Sequence, residues 1–388
     1  MRICRIATVP FFLFHHLGEQ IAATARSGHE VVLVSSPGEG TAALQSITGV
    51  SHYALNISRQ ISIFRDLVTL LRLLVFFRRQ HFDLVHSTTP KAGLLAAIAG
   101  RLAGIPVRLH TFTGQAWAER SGWVRWIAKA CDRLVVKLNT RCYADSISQR
   151  DFIVAEGVAR ADEITVLGQG SLAGVDFTRF NHHRSGTAAA VKARLEIPAG
   201  ARVVGFVGRV TKDKGIQELV AAFDLLASFG CENVYLVLVG PLEPERDPLP
   251  AELVARIHRD KRIRMVGYMP APEEYIAMFD IFCLPSYREG FGNVVLEAAA
   301  MGIPTVGTRI IGLTDAIVDG VTGILVPPKD VSALARALKL VLLDDHLRSR
   351  LGSQAKSRTA TLFDSRKVNA GVLAEYESLR LGGKLRPH

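Results

Sequence analysis

The sequence predicts an α/β protein of two Rossmann-like domains, each a parallel sheet covered by helices, with the sheets facing each other across a cleft. Three observations carry this. At 388 residues the chain is too long for one core of ordinary size, so two domains of roughly 150 to 200 residues are expected. Short apolar, β-branched runs alternate with helical patterns from end to end, the signature of βαβ units. Hydrophobic residues make up 48% and charged residues 21%, without low-complexity stretches or repeats, which is the composition of a folded chain.

In order, the first half reads as strands at "RICRIATV", "EVVLVSS", "LVHSTT", "VRLHTF" and "ITVLG", separated by helical stretches such as "LGEQIAATARSGH" and "PKAGLLAAIAGRLAGI". The segment "NHHRSGTAAAVKARLEIPAG" is the joint. A second series follows with "RVVGFVG", "VYLVLVG", "IRMVGY", "IFCLPS", "PTVGT" and "GILVPP". The expected domains are therefore 1–180 and 181–365, with 366–388 a helix and tail packing back on the first domain. Disorder is confined to "RLGGKLRPH".

Several classes are excluded at once. The five cysteines are scattered and odd in number, with no C-x-x-C pair, and read as reduced, mostly buried thiols of a cytosolic protein. "MRICRIATVPFFLF" lacks a small-residue cleavage site and reads as a buried strand rather than a signal peptide. The longest apolar run, "LVTLLRLLVFF", is interrupted by Arg72 and is shorter than the roughly 20 residues a spanning helix needs. Net charge is +11, and residues 1–145 carry 17 Lys and Arg against 8 Asp and Glu. Such a basic half suits nucleic acid, anionic lipid or an anionic substrate.

Two stretches carry chemistry. In "REGFGNVVLEAAAMG" (288–302), Gly290 and Gly292 let the backbone turn tightly before a helix that starts near Asn293. The amides of Phe291, Gly292 and Asn293 then form a phosphate-binding helix N-terminus. Glu289 precedes the helix and Glu297 lies about one turn inside it, some ~6 Å further along the axis. That separation suits hydroxyl groups at two points of one elongated ligand better than a catalytic dyad. Glutamates near a helix N-terminus are also favoured by its dipole without any ligand. In "VVGFVGRVTKDKGIQELVAAF", Arg209 and Lys214 follow a buried strand, where ligands of parallel sheets bind, and can clamp a diphosphate; a solvated turn is the bland alternative.

With "YREGFGNVVLEAAAMGIPTV", "VGRVTKDKG", "DGVTGILVPPKD" and "GVDFTRF", the chain resembles the retaining family 4 glycosyltransferases of GT-B fold. The resemblance implies an N-terminal acceptor-binding domain and a C-terminal nucleotide-sugar-binding domain. It places Arg209 and Lys214 on the donor diphosphate, Glu289 on the donor sugar, Glu297 on the ribose, and the Phe291 to Asn293 amides near sugar and phosphate. "LHTFTG" resembles the segment that supplies the family's active-site histidine, here His110. His15 and His16 in "FFLFHHLGEQ" are weaker candidates, and where many relatives have a Gly-Gly pair in the first loop this chain has only Gly18. "HSTTPKAGLLAAIAGRLAGIPV" resembles members that build capsule, O-antigen or other lipid-linked glycans.

No D-x-D occurs, so the usual carboxylate pair for a diphosphate-bound metal is absent; neither a metal nor a cofactor is expected. Cationic side chains and a helix N-terminus would stabilise the leaving nucleoside diphosphate instead. The resemblance further implies retention at the anomeric carbon by front-face attack, with an N-acetylhexosamine on UDP as preferred donor and a polyprenyl-diphosphate-linked saccharide as acceptor. A hexosyl or mannosyl transferase using a GDP sugar, a nucleotide-sugar epimerase and a non-catalytic nucleotide- or glycan-binding relative remain as alternatives. Nucleic acid is not expected, for want of a recognition motif. The cluster "GQGSLAGVD" is a poor dinucleotide fingerprint.

Two basic amphipathic stretches complete the reading. "RQISIFRDLVTLLRLLVFFRRQ" and "WVRWIAKACDRLVVKLNTR" combine apolar residues at helical spacing with arginines and lysines. In the second, Arg125 and Lys129 open a basic stripe beside Trp123 and Trp126. Such helices can lie on anionic bilayers, which predicts a peripheral protein on the cytoplasmic face of the inner membrane. The commoner alternative packs the apolar face on the sheet and solvates the charged one.

Overall fold

The computed structural model describes residues 1–58, 62–115, 117–181, 185–243 and 247–380. The tail expected to be disordered, from 381 onward, lies outside the described residues, as do 182–184 of the joint. The chain forms two compact units, one of Met1–Gly174 with the segment from Ser365, the other of Val175–Asp364.

The first unit holds a seven-stranded parallel sheet: β1 (Arg2–Ile6), β2 (Glu30–Ser35), β3 (Val50–Ala54), β4 (Leu84–Ser87), β5 (Val107–Phe112), β6 (Arg141–Ala144) and β7 (Ile164–Val166). Their order is β3-β2-β1-β4-β5-β6-β7. Because side chains alternate along a strand, β1 sends Ile3 and Arg5 to one face and Cys4 and Ile6 to the other. The helices Pro10–Arg26 and Ser365–Leu379 cover the first face; Ile63–Gln80, Pro90–Leu102 and Gly122–Leu138 lie on the second. The second unit holds six parallel strands: β8 (Arg202–Val207), β9 (Val234–Val239), β10 (Ile263–Gly267), β11 (Ile281–Leu284), β12 (Thr305–Thr308) and β13 (Gly323–Val326). Their order is β10-β9-β8-β11-β12-β13. In each sheet the order reverses beside the first strand, between β1 and β4 and between β8 and β11. Such a switch point opens a crevice at the carboxyl ends of the strands.

The eleven strands expected from sequence are present, and two more, β3 and β6, escaped. β3 is an edge strand, "VSHYA", with mostly exposed side chains, and β6 is the four-residue "RCYA", so neither shows an apolar run. The expected boundary at 180–181 is corrected to 174–175. Val175 and Phe180 are buried in the second unit's core, and the amide of Val175 donates to the carbonyl of Phe363 at 2.8 Å.

The helix Ser365–Leu379 belongs to the first unit, where Val372, Tyr376 and Leu379 pack on Ile3, Leu84 and Leu109. A polar chain ties it down. Arg5, 2% exposed, donates through Nη1 to Gln20 Oε1 at 2.8 Å and to Tyr376 Oη at 2.6 Å. Tyr376 Oη lies 2.7 Å from His86 Nδ1, and His86 Nε2 lies 2.8 Å from Thr111 Oγ1. Burial, with Arg5 nearby, holds the His86 imidazole well below its ordinary pKa, so the ring is neutral and can accept the tyrosine's hydrogen. Among the described residues no helix is long and apolar enough to cross a membrane.

Candidate active site

Two loops of the second unit meet at the β8/β11 switch point. β8 ends at Val207, and the chain runs through Gly208 and Arg209 into a single 3₁₀ turn, Lys212–Lys214, closed by Gly215. Gly215 has φ 69°, and a Cβ there would lie 2.1 Å from the carbonyl oxygen of Pro285. Only glycine allows that approach, which brings the turn against the loop leaving β11. The contact is reinforced where the amide of Tyr287 donates to the carbonyl of Asp213 at 2.9 Å. The β11 loop then enters the helix Asn293–Ala300 through Gly292, at φ 85°, where a Cβ would meet Leu313 Cδ2 at 2.6 Å.

This seam places the predicted donor residues together. Lys214 Nζ lies 2.5 Å from Glu289 Oε1, which also accepts from Ser286 Oγ at 2.7 Å. Both side chains are mostly buried, so the pair is a fixed element of the loop seam. Arg209 donates to Glu243 Oε2 at 2.8 Å and lies 3.5 Å from Asp213 Oδ2. Thr211, Lys214 and Arg209 outweigh desolvation and hold the Asp213 carboxyl below its ordinary pKa. The phenyl ring of Phe291 is buried edge-on to Phe363, so what this residue offers a ligand is its amide. Gly290 immediately precedes it, and Asn293 begins the helix.

Glu297 sits one turn inside that helix with a partly exposed side chain. Desolvation of its carboxyl pushes the pKa up to about 7; Arg179 opposes the shift and Glu273 adds to it. Arg179 is itself anchored, donating to Glu273 Oε2 at 2.8 Å and to the carbonyl of Pro270 at 2.9 Å. Sequence reasoning missed Arg179, Glu273 and Glu243. Arg179 lies in "GVDFTRF" and was visible as an arginine after a turn, whereas Glu243 and Glu273 carry no local signal. Among the described residues no group of three or more histidine, cysteine or carboxylate side chains could hold a metal ion.

In the first unit His110 is 1% exposed on β5. Its Nδ1 lies 2.9 Å from Ser87 Oγ, and the ring rests on the backbone of Gly93, where a Cβ would come within 2.4 Å of His110 Cε1. Burial lowers its pKa to about 3, so the imidazole is neutral at physiological pH. His15 and His16 are exposed on the helix Pro10–Arg26 and touch the rings of Phe11 and Phe12. Gly18 is not in the first loop: Pro10 starts the helix directly after β1, so Gly18 lies mid-helix, with its amide committed to the helix ladder.

The basic stripe of 122–138 is also corrected. Arg125 and Lys129 turn inward, to Glu156 at 2.7 and 2.8 Å and over the ring of Trp117, while Trp123 and Trp126 face solvent. Packing explains the inversion. Glu156 and Trp117 offer these cations a carboxylate and an aromatic face that solvent does not.

Two Rossmann-like units, with cations and carboxylates at the carboxyl-end crevice of the second, define a GT-B glycosyltransferase. The chain belongs to the family 4 type of these enzymes. Residues 189–358 match the family "Glycosyl transferases group 1", and residues 15–170 match "Glycosyl transferase 4-like domain". The chain is 29% identical over 349 residues to the capsular polysaccharide biosynthesis glycosyltransferase CapM of Staphylococcus aureus, covering 90% of each chain. It is 31% identical over 309 residues to a D-inositol 3-phosphate glycosyltransferase of Arthrobacter sp. (strain FB24), covering 76% of this chain and 70% of that one. The fold resembles that of Anabaena HepE in complex with UDP-glucose, with a TM-score of 0.81 and 20% identity over 98% of this chain and all of the other.

Proposed function

We propose that the protein is a retaining, metal-independent glycosyltransferase of capsule or lipopolysaccharide assembly. It moves an N-acetylhexosamine from UDP to a saccharide carried on polyprenyl diphosphate, at the cytoplasmic face of the inner membrane. The observation that carries the reading is the Lys214–Glu289 pair, with Arg209 beside it, at the β8/β11 switch point. The names of CapM and HepE's ligand support the pathway and the UDP donor.

In this reading Arg209 and Lys214 take the donor diphosphate, and the amides of Phe291, Gly292 and Asn293 face sugar and phosphate. Glu289 orients the sugar hydroxyls and Glu297 the ribose. The acceptor oxygen bonds to the anomeric carbon on the face from which the nucleoside diphosphate departs. A phosphate oxygen of that leaving group takes the acceptor's proton, and the cations stabilise its developing charge. His110, held neutral, contributes a hydrogen bond to the donor sugar through Nε2.

The first test is thermal stabilisation by UDP, GDP and ADP, with and without magnesium, followed by turnover of UDP-N-acetylglucosamine. Stabilisation by UDP alone, unaffected by chelator, is expected. Stabilisation by none of the three means that the donor site is misassigned. The name of the Arthrobacter relative favours a second acceptor class, a phosphorylated cyclitol, and turnover with inositol phosphate but no lipid would select it.

A further inference from the structure

The helices Ile63–Gln80 and Gly122–Leu138 both pack against Pro90–Leu102, on one side of the first unit's sheet. Each is amphipathic in the wrong sense for a solvated helix. On Ile63–Gln80, Leu73 and Phe77 enter the core, yet a second apolar stripe of Phe64, Leu67, Leu71 and Val75, spaced three or four residues apart, faces outward. On Gly122–Leu138 only Asp132 and Val135 are buried, and the outward face is Trp123, Trp126, Ile127 and Leu134. Phe64 is 77% exposed, Trp123 74% and Trp126 67%. Single exposed apolar residues are ordinary; two such stripes, on helices that both pack against Pro90–Leu102, mark an interaction surface.

We propose that these two helices form one docking face for an anionic phospholipid bilayer. The proposal deepens the lipid-linked-acceptor reading, since it names the surface that would bring the enzyme to such an acceptor. Charge selects the occupant. Arg65, Arg72, Arg78, Arg79, Arg133 and Lys137 are exposed on these helices. Their two carboxylates are withdrawn: Asp66 pairs with Lys91 at 2.6 Å, and Asp132 accepts from Trp117 Nε1 at 2.6 Å. Apolar stripes flanked by cations, with tryptophans at one end, match the acyl boundary and the anionic headgroups above it. The inward ion pairs of Arg125 and Lys129 turn the tryptophans outward, so residues that look like membrane ligands in the sequence act as its supports.

The test is flotation of the full chain with vesicles of phosphatidylcholine, alone or mixed with phosphatidylglycerol. Beside it, thermal stabilisation by UDP, GDP and ADP is measured for each protein. The wild type is expected to float with the mixed vesicles only, and to release as salt is raised from about 0.1 to 1 M. The double variant Trp123→Ala/Trp126→Ala is expected to lose at least about tenfold in vesicle affinity. Arg133→Glu/Lys137→Glu should lose the preference for anionic lipid. Retained nucleotide stabilisation shows that each variant is folded. A wild type that ignores both vesicles while binding nucleotide overturns the proposal. So does a concentration-dependent dimer that the tryptophan variant dissolves, which makes the face an interface between copies. Vesicle binding without any nucleotide response leaves the docking face standing and refutes the donor-site reading instead.

Discussion

Substitution of Glu297 by glutamine tests the ribose assignment through pH. The free carboxyl titrates at about 7 because burial disfavours its charged form. Under that assignment a ribose hydroxyl donates to the ionised form, so binding requires the proton to leave. Apparent affinity is then nearly constant above pH 7 and falls about tenfold for each pH unit below it. Isothermal titration with a UDP sugar, whose diphosphate diester does not titrate near neutrality, should show roughly tenfold weaker binding at pH 6 than at pH 8. Glu297→Gln should bind more weakly at pH 8 and lose that dependence. The variant carries a second signature in the absence of ligand. A carboxyl whose folded pKa is raised above its unfolded value contributes stability below the unfolded pKa and loses it as pH rises through 7. The neutral amide escapes that loss, so the variant should melt higher than the wild type at pH 8 and no higher at pH 4. Identical pH profiles for the two proteins would refute both the elevated pKa and its link to the ribose.

Other outcomes follow from the same contacts. Glu243→Gln releases Arg209 from a half-buried pair worth on the order of 1 kcal/mol, so nucleoside diphosphate should bind up to about fivefold more tightly by calorimetry. Glu289→Gln frees Lys214 from its carboxylate partner, so nucleoside diphosphate should bind no more weakly, while turnover of the nucleotide sugar should fall by at least about tenfold if the sugar hydroxyls lose their charged acceptor. Gly93→Ala drives a methyl group into the His110 ring and should lower both turnover and stability, the latter by about 1–3 kcal/mol in denaturant titration. Tyr376→Phe leaves Arg5 Nη1 and His86 Nδ1 short of a partner inside the core and should cost about 1–3 kcal/mol in the same assay, with nucleotide affinity unchanged.

The apolar alternation of strands and helices made the fold legible, and the loop after β11 made the candidate donor residues legible, because glycine spacing and charge are local signals. What escaped was not local. β3 and β6 are held by their neighbours in the sheet rather than by an apolar run of their own. Glu243 and Glu273 gain meaning only from the arginines the fold brings to them. Gly18 looked like a loop residue because the start of a helix at Pro10 turns on a single proline. The stripe of Arg125 and Lys129 shows the limit of helical periodicity: it says that two faces differ, and only packing decides which is turned inward.

The return of the Ser365–Leu379 helix to the first unit has a consequence for biosynthesis. The ribosome releases β1 to β7 first, yet the second of the two helices that cover one face of their sheet waits until the whole of Val175–Asp364 has been translated. Until Tyr376 emerges, Arg5 lacks one of its two acceptors, and Ile3, Leu84 and Leu109 stay open to chaperones. The second unit, contiguous in the message, can finish folding before the first. A nonsense codon shortly after Asp364 would therefore spare the fold of the second unit and unravel the half of the enzyme made earliest.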